Sequence, residues 1–163
     1  MANLTGTITK AITFAATAAI IKQFAITITQ TANQTITVRK GSASGDVLAS
    51  RAKVDYGTKL YISIAANSGY TAGTVSVSGA EKNDDGSYTV TAETTITATA
   101  ASQNTYTVTI TQTANQTIHV YVPNKSDSAK VDHTETFTAP EGTAYEAEVI
   151  AADGYTAGTL SVN

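Results

Sequence analysis

Residues 26–38 read ITITQTANQTITV, and residues 108–120 read VTITQTANQTIHV. Val108 follows Ile26 by 82 residues, and the two stretches differ only at Ile26/Val108 and Thr37/His119. A second block, GYTAGTVSV at residues 69–77, returns as GYTAGTLSV at residues 154–162, 85 residues later. Two blocks in the same order at nearly one period mark a tandem duplication. The offsets differ by three residues, so the second copy carries an insertion between its blocks. A surface loop near Pro123 to Asp132 absorbs it most easily.

Within a copy the pattern is that of short strands. Ile26, Ile28, Ile36 and Val38 alternate with threonines, the two-residue period that turns one face of a strand inward. Strands are expected at Ala25–Thr29, Thr35–Arg39, Val47–Val54, Lys59–Ile64, Thr74–Ser78, Ser87–Thr91 and Thr95–Ala101. A hairpin turn around Ala32-Asn33 is expected between the first two, with Asn33 and Gln34 bonding locally. Seven short strands with turn signals between them fit a two-sheet sandwich of the immunoglobulin-like kind. The expected class is therefore all-β: an N-terminal extended arm followed by tandem immunoglobulin-like β-sandwich domains. Composition agrees. The 163 residues include 31 threonines, whose β-branched side chains favour sheet over helix.

The expected divisions are an arm at 1–24, a first repeat at 25–102 and a second at 103–163. The second repeat has no counterpart of Ser78 to Ala101, so continuation of the chain beyond Asn163 is expected, with strands donated by a neighbouring chain as the other solution. In the arm, Leu4, Ile8, Ile12, Phe14, Ile20, Ile21 and Phe24 are small-residue-flanked apolar positions suited to a groove or a neighbour's sheet edge. They are the candidate anchoring and oligomerisation residues. Ala11 to Ile21 after Lys10 has some likeness to a secretion signal, but the threonine alternation before it reads better as an extended arm.

A search for chemistry finds little. With no cysteine, disulfides and thiolate metal sites are excluded. A net charge of −3 without a basic cluster argues against nucleic acid, and no apolar run reaches membrane-spanning length. His119 stands where the first copy has Thr37, which marks a surface position rather than a site. His133, with Asp132 and Glu135 nearby, lacks a second histidine at ligand spacing. Asn83-Asp84-Asp85-Gly86 reads as a turn, and Ser42 and Ser44 in GSASG lack the strand-turn-helix setting of a nucleophile elbow. No catalytic, cofactor-binding or metal-binding residue is expected. The recurring Gly69, Tyr70 and Gly73, with Gly154, Tyr155 and Gly158, are expected to be structural: the glycines for positive φ or close packing, the tyrosines packed on their own domains.

The run from YTVTITQTANQTI through GYTAGT to TVTAETTITATA resembles the immunoglobulin-like repeats of bacteriophage structural proteins, and is also similar to internalin-type B-repeats of bacterial surface proteins. The resemblance implies a non-enzymatic virion component, a head-fibre, decoration or tail-fibre protein assembled in the bacterial host cytoplasm. Its implied partners are a capsid or tail protein, further copies of itself (a trimer among the options) and, more remotely, a host-surface glycan. A secreted bacterial cell-surface adhesin is the second reading, and the non-catalytic part of a longer polysaccharide-degrading enzyme a third. Sandwich modules serve many roles, so the resemblance bears on the module more than on its use.

Overall fold

The computed structural model describes residues 5–7 and 9–162 of the chain, so Leu4 and Ile8 lie outside the described residues. The described residues form strands and turns and no helix. In chain order the strands are β1 (Gln23–Ile28), β2 (Gln34–Lys40), β3 (Ala52–Asp55), β4 (Lys59–Ala66), β5 (Tyr70–Thr71), β6 (Val75–Lys82) and β7 (Tyr88–Ala98). They continue with β8 (Ser102–Gln103), β9 (Thr105–Val108), β10 (Gln116–Val122), β11 (Val131–His133), β12 (Phe137–Pro140) and β13 (Glu146–Ala151).

The first repeat is a six-stranded sheet in the order β2-β4-β7-β1-β3, with β6 also on β7. Its hub is β7. The N-terminal end of β7 pairs with β4, where Leu60 faces Tyr88. Its C-terminal half pairs with β1 in parallel, where Ile28 faces Ile96, and with β6 in antiparallel fashion, where Val77 faces Ile96. One strand thus serves both sides of the core. The bend comes from its partner: the β6–β7 register shifts between Ser78 and Ala80. Gly79 there has φ +79, and a Cβ on it would lie 1.9 Å from the Glu93 carbonyl oxygen. Only glycine fits that bulge. Around the hub, Ile26, Ile36, Val38, Val54, Leu60, Val90 and Ile96 form the buried core.

Three expectations are corrected. The two strands expected at Ser87–Thr91 and Thr95–Ala101 are one strand, β7, because Ala92-Glu93-Thr94 contains no turn residue and the irregularity sits in β6. The turn at Ala32-Asn33 is not a hairpin: β1 pairs with β3 and β7, and β2 with β4. Asn33 and its counterpart Asn115 both adopt φ 61, which asparagine tolerates, to carry the chain across between partners. The Val47–Val54 strand reduces to β3 and one isolated bridge between Arg39 and Val47.

The second repeat keeps the same strands in outline. β10 pairs with β11 and β13, and β9 pairs with β12. Tyr121 faces Asp132 as Arg39 faces Val47, so the inserted residues fall in the loop between β10 and β11, where the sequence places them. What differs is the core. Leu60 is fully buried in the first repeat, whereas Tyr145 at the matching place is 56% exposed.

Candidate functional site

Of the arm residues, Ile12, Phe14, Ile20 and Ile21 lie on a stretch without strand or helix and are exposed, Phe14 to 74% and Ile20 to 93%. An exposed run of large apolar side chains signals contact with something else. Phe24 does not belong with them. It sits in β1, faces Val54 and packs against the first core, so the exposed stretch ends at Lys22, whose carbonyl accepts from the Tyr56 amide.

The two recurring blocks prove to be one hydrogen-bonded device. The Gln30 amide donates to the Ile36 carbonyl and accepts from the Ile36 amide, each at 2.7 Å, standing in for a strand neighbour beside β2. Gln112 repeats this pair on Ile118. Gln34, 5% exposed, donates to the Thr99 carbonyl at 2.6 Å and accepts from the Gly73 amide at 2.7 Å. It thereby ties the GYTAGT loop to the end of β7. Gln116 likewise accepts from the Gly158 amide at 2.8 Å and donates to the Thr113 hydroxyl, with no bond to a closing strand among the described residues. The local bond expected for Gln34 is present, to the Thr31 hydroxyl three residues back. The two further partners are 39 and 65 residues away, a separation no local motif signals.

The recurring glycines differ between the repeats. Gly69 has φ +79, and a Cβ on Gly73 would lie 2.0 Å from the Thr99 carbonyl oxygen. In the second, Gly154 has φ +83, while Gly158 meets only the Gln116 side chain. The tyrosines diverge. Tyr70 is half-buried and pairs through its backbone with Gln103, whereas Tyr155 is 59% exposed rather than packed on its domain.

Between the repeats, β5 pairs with β8, and Asn104 links both sides. Its amide donates to the Gly69 carbonyl and its side-chain oxygen accepts from the Thr71 hydroxyl. Its carbonyl accepts from the Glu141 amide, and its side-chain nitrogen donates to the Glu141 carboxylate at 2.8 Å. Two bonds reach each repeat from one residue.

The second repeat also has a polar cluster that the first lacks. His119 contacts Asp132 at 2.9 Å, so it is not a free surface residue, and the Asp132 considered beside His133 is engaged there instead. His133 stacks on Phe137 with ring centroids 3.7 Å apart. Tyr121 donates to Glu148 at 2.8 Å, which with burial pushes its hydroxyl up to about 12. Glu148 is held below its ordinary value by hydrogen bonds from Lys125 and Tyr121. Lys125 also donates its amide to Glu146, so the cluster pins the lengthened β10–β11 loop onto β13. Among the described residues no group of three or more His, Asp or Glu side chains could hold a metal ion.

A concavity of about 780 Å³ opens in the second repeat between β9, β10, β13 and the segment 159–162. The chain matches no protein-family model, no curated protein and no solved structure.

Proposed function

We propose that the chain is a non-enzymatic structural protein of a bacteriophage particle, a head-fibre, decoration or tail-fibre component. In this reading two tandem immunoglobulin-like sandwiches stand behind an N-terminal anchoring arm. The observation that carries it is the pairing of an exposed apolar segment with the direction of the strands beside it. β1 runs parallel to β7, so the chain enters the first repeat at the end opposite to the one from which it leaves for the second. A segment gripping a capsid or tail protein then projects the repeats away from the particle as spacers. The Asn104 clamp and the β5–β8 pair stiffen that projection, which suits a spacer better than a free linker would.

The test is to find the protein. Mass spectrometry of purified particles, with gold-labelled antibody in electron microscopy, is expected to place it on virions with its N-terminal residues intact. Phe14→Asp is expected to remove it from the particle while leaving the protein folded. Recovery instead from the bacterial surface, with the N-terminus cleaved after the Ala11 to Ile21 segment, overturns this reading in favour of the secreted adhesin.

A further inference from the structure

In the first repeat β1 is held along both of its edges. Toward β7 the bonding residues alternate. The Ala25 amide donates to the Glu93 carboxylate at 2.8 Å, Thr27 faces Thr95, and the Thr29 amide donates to the Ile96 carbonyl at 3.0 Å. On the other edge Gln23 to Ile26 pair with β3, and the Arg51 amide donates to the Ile26 carbonyl at 2.7 Å. Ile28 lies past the reach of β3, and there the Ser50 hydroxyl takes over. It accepts from the Ile28 amide at 2.9 Å and donates to the Ile28 carbonyl at 3.2 Å. On the inner face, Ile26 and Ile96 are fully buried and keep water from that side of the ladder.

The chain path sets the direction in which this ladder is pulled. Residues before Gln23 approach the N-terminal end of β1, and the chain leaves for the second repeat from the C-terminal end of β7. Because Ile26, Thr27 and Ile28 run parallel to Thr94, Thr95 and Ile96, those two ends point in opposite directions. Tension along the chain therefore draws β1 and β7 past each other lengthwise. Lengthwise displacement loads every bond of the ladder at once, whereas tension at the open end of an antiparallel pair parts its bonds one after another. β6 and β7 are such a pair, with the Thr99 amide donating to the Thr74 carbonyl at their open end. Both ends of the ladder are also fastened to the body of the repeat. Where the chain enters, the Lys22 carbonyl accepts from the Tyr56 amide, and where it leaves, the Thr99 carbonyl accepts from the Gln34 side chain at 2.6 Å. Opposite Ile26, the buried Thr94 hydroxyl donates to the Gly79 carbonyl at 3.1 Å, tying the β6 bulge to the strand under load.

We propose that the first repeat is a tension-bearing module whose mechanical clamp is the β1–β7 ladder. The force at which a domain gives way follows its unfolding barrier rather than its equilibrium stability, so the bonds that break first decide it. Here those are the bonds of β1 to Glu93, to the β7 backbone and to Ser50. Glu93 and Ser50 thereby gain a specific role. Each is an exposed side chain that completes one edge of β1 at a point where no neighbouring strand does. An anchor gripping the residues before β1 supplies one source of load, but the clamp belongs to the repeat and acts whatever holds the chain.

The chain contains no cysteine, so pulling handles attach only where thiols are introduced. In the full chain, Lys22→Cys with Ala100→Cys directs the pull along β1 and β7. Thr74→Cys with Ala100→Cys directs it across the open end of β6 and β7, and all three positions are exposed. Single-molecule force spectroscopy at one loading rate is expected to give a rupture force several-fold higher for the first pair than for the second. Glu93→Ala and Ser50→Ala together are expected to lower the first force and leave the second unchanged, and Ser50→Ala alone to do the same in smaller measure. Circular dichroism checks that each variant is folded before it is pulled. Equal rupture forces in the two directions, or a force along β1 and β7 untouched by either set of substitutions, overturns the proposal.

Discussion

At the scale of single residues, the side chains that matter most here are amides and hydroxyls whose partners are distant in sequence. Gln34 and Gln116 occupy identical motifs but unequal surroundings. Both bond a threonine hydroxyl three residues back, but Gln34 is buried and also bonds to the GYTAGT loop and the end of β7, while Gln116 adds only the loop. Gln34→Leu is expected to cost about 1–3 kcal/mol, because it leaves the Gly73 amide and the Thr99 carbonyl without their partner, and Gln116→Leu clearly less. Denaturant unfolding of the two variants side by side checks the ordering. Asp85 offers a pH test. Its carboxylate accepts from the Ser87 hydroxyl and amide and pairs with Lys59, which together lower it from an ordinary 3.8 to about 2. A depressed carboxyl stabilises the fold above its unfolded value, and that contribution disappears as pH falls through the folded one. The Asp85 carbon resonance is expected to titrate near 2, and Ser87→Ala to move the midpoint back toward 3.8. An unchanged midpoint would count against this origin of the shift.

At the scale of elements, β7 decides whether a repeat has a closed core. Ile96 is fully buried at the crossing of β1 and β6, and Ile96→Ala is expected to destabilise the first repeat by about 3 kcal/mol, measured by chemical denaturation. The same strand marks the limit of what sequence shows. The alternation of Ile26, Ile28, Ile36 and Val38 is local, so strands β1 and β2 and their inward faces are legible directly. Their partners are not. The parallel pairing of β1 with β7 joins residues 68 apart, and nothing near Asn33 distinguishes a hairpin from a crossing between partners. Phe24 has the same difficulty: its composition matches the segment before it, and only the register opposite Val54 assigns it to β1. The absence of a closing strand from residues 103–163 is legible by comparing the copies, but its consequence for Leu160-Ser161-Val162 requires coordinates.

At the scale of the whole molecule, two features stand together: an exposed apolar stretch before β1, and two repeats joined through Asn104. Asn104→Ala removes one side-chain bond to each repeat, and is expected to open the junction to limited proteolysis near residues 99–104 without unfolding the first repeat. Equal cleavage rates in variant and parent would show that the β5–β8 pair holds the junction unaided. The central proposal is that the exposed apolar stretch from Ile12 to Ile21 holds the chain on a particle from which the repeats project. Mass spectrometry of purified particles, comparing the parent chain with Phe14→Asp, tests it most directly. The expected result is the parent chain on the particle with its N-terminal residues intact and the variant missing from it. Equal amounts of the two on the particle, or neither, would contradict it.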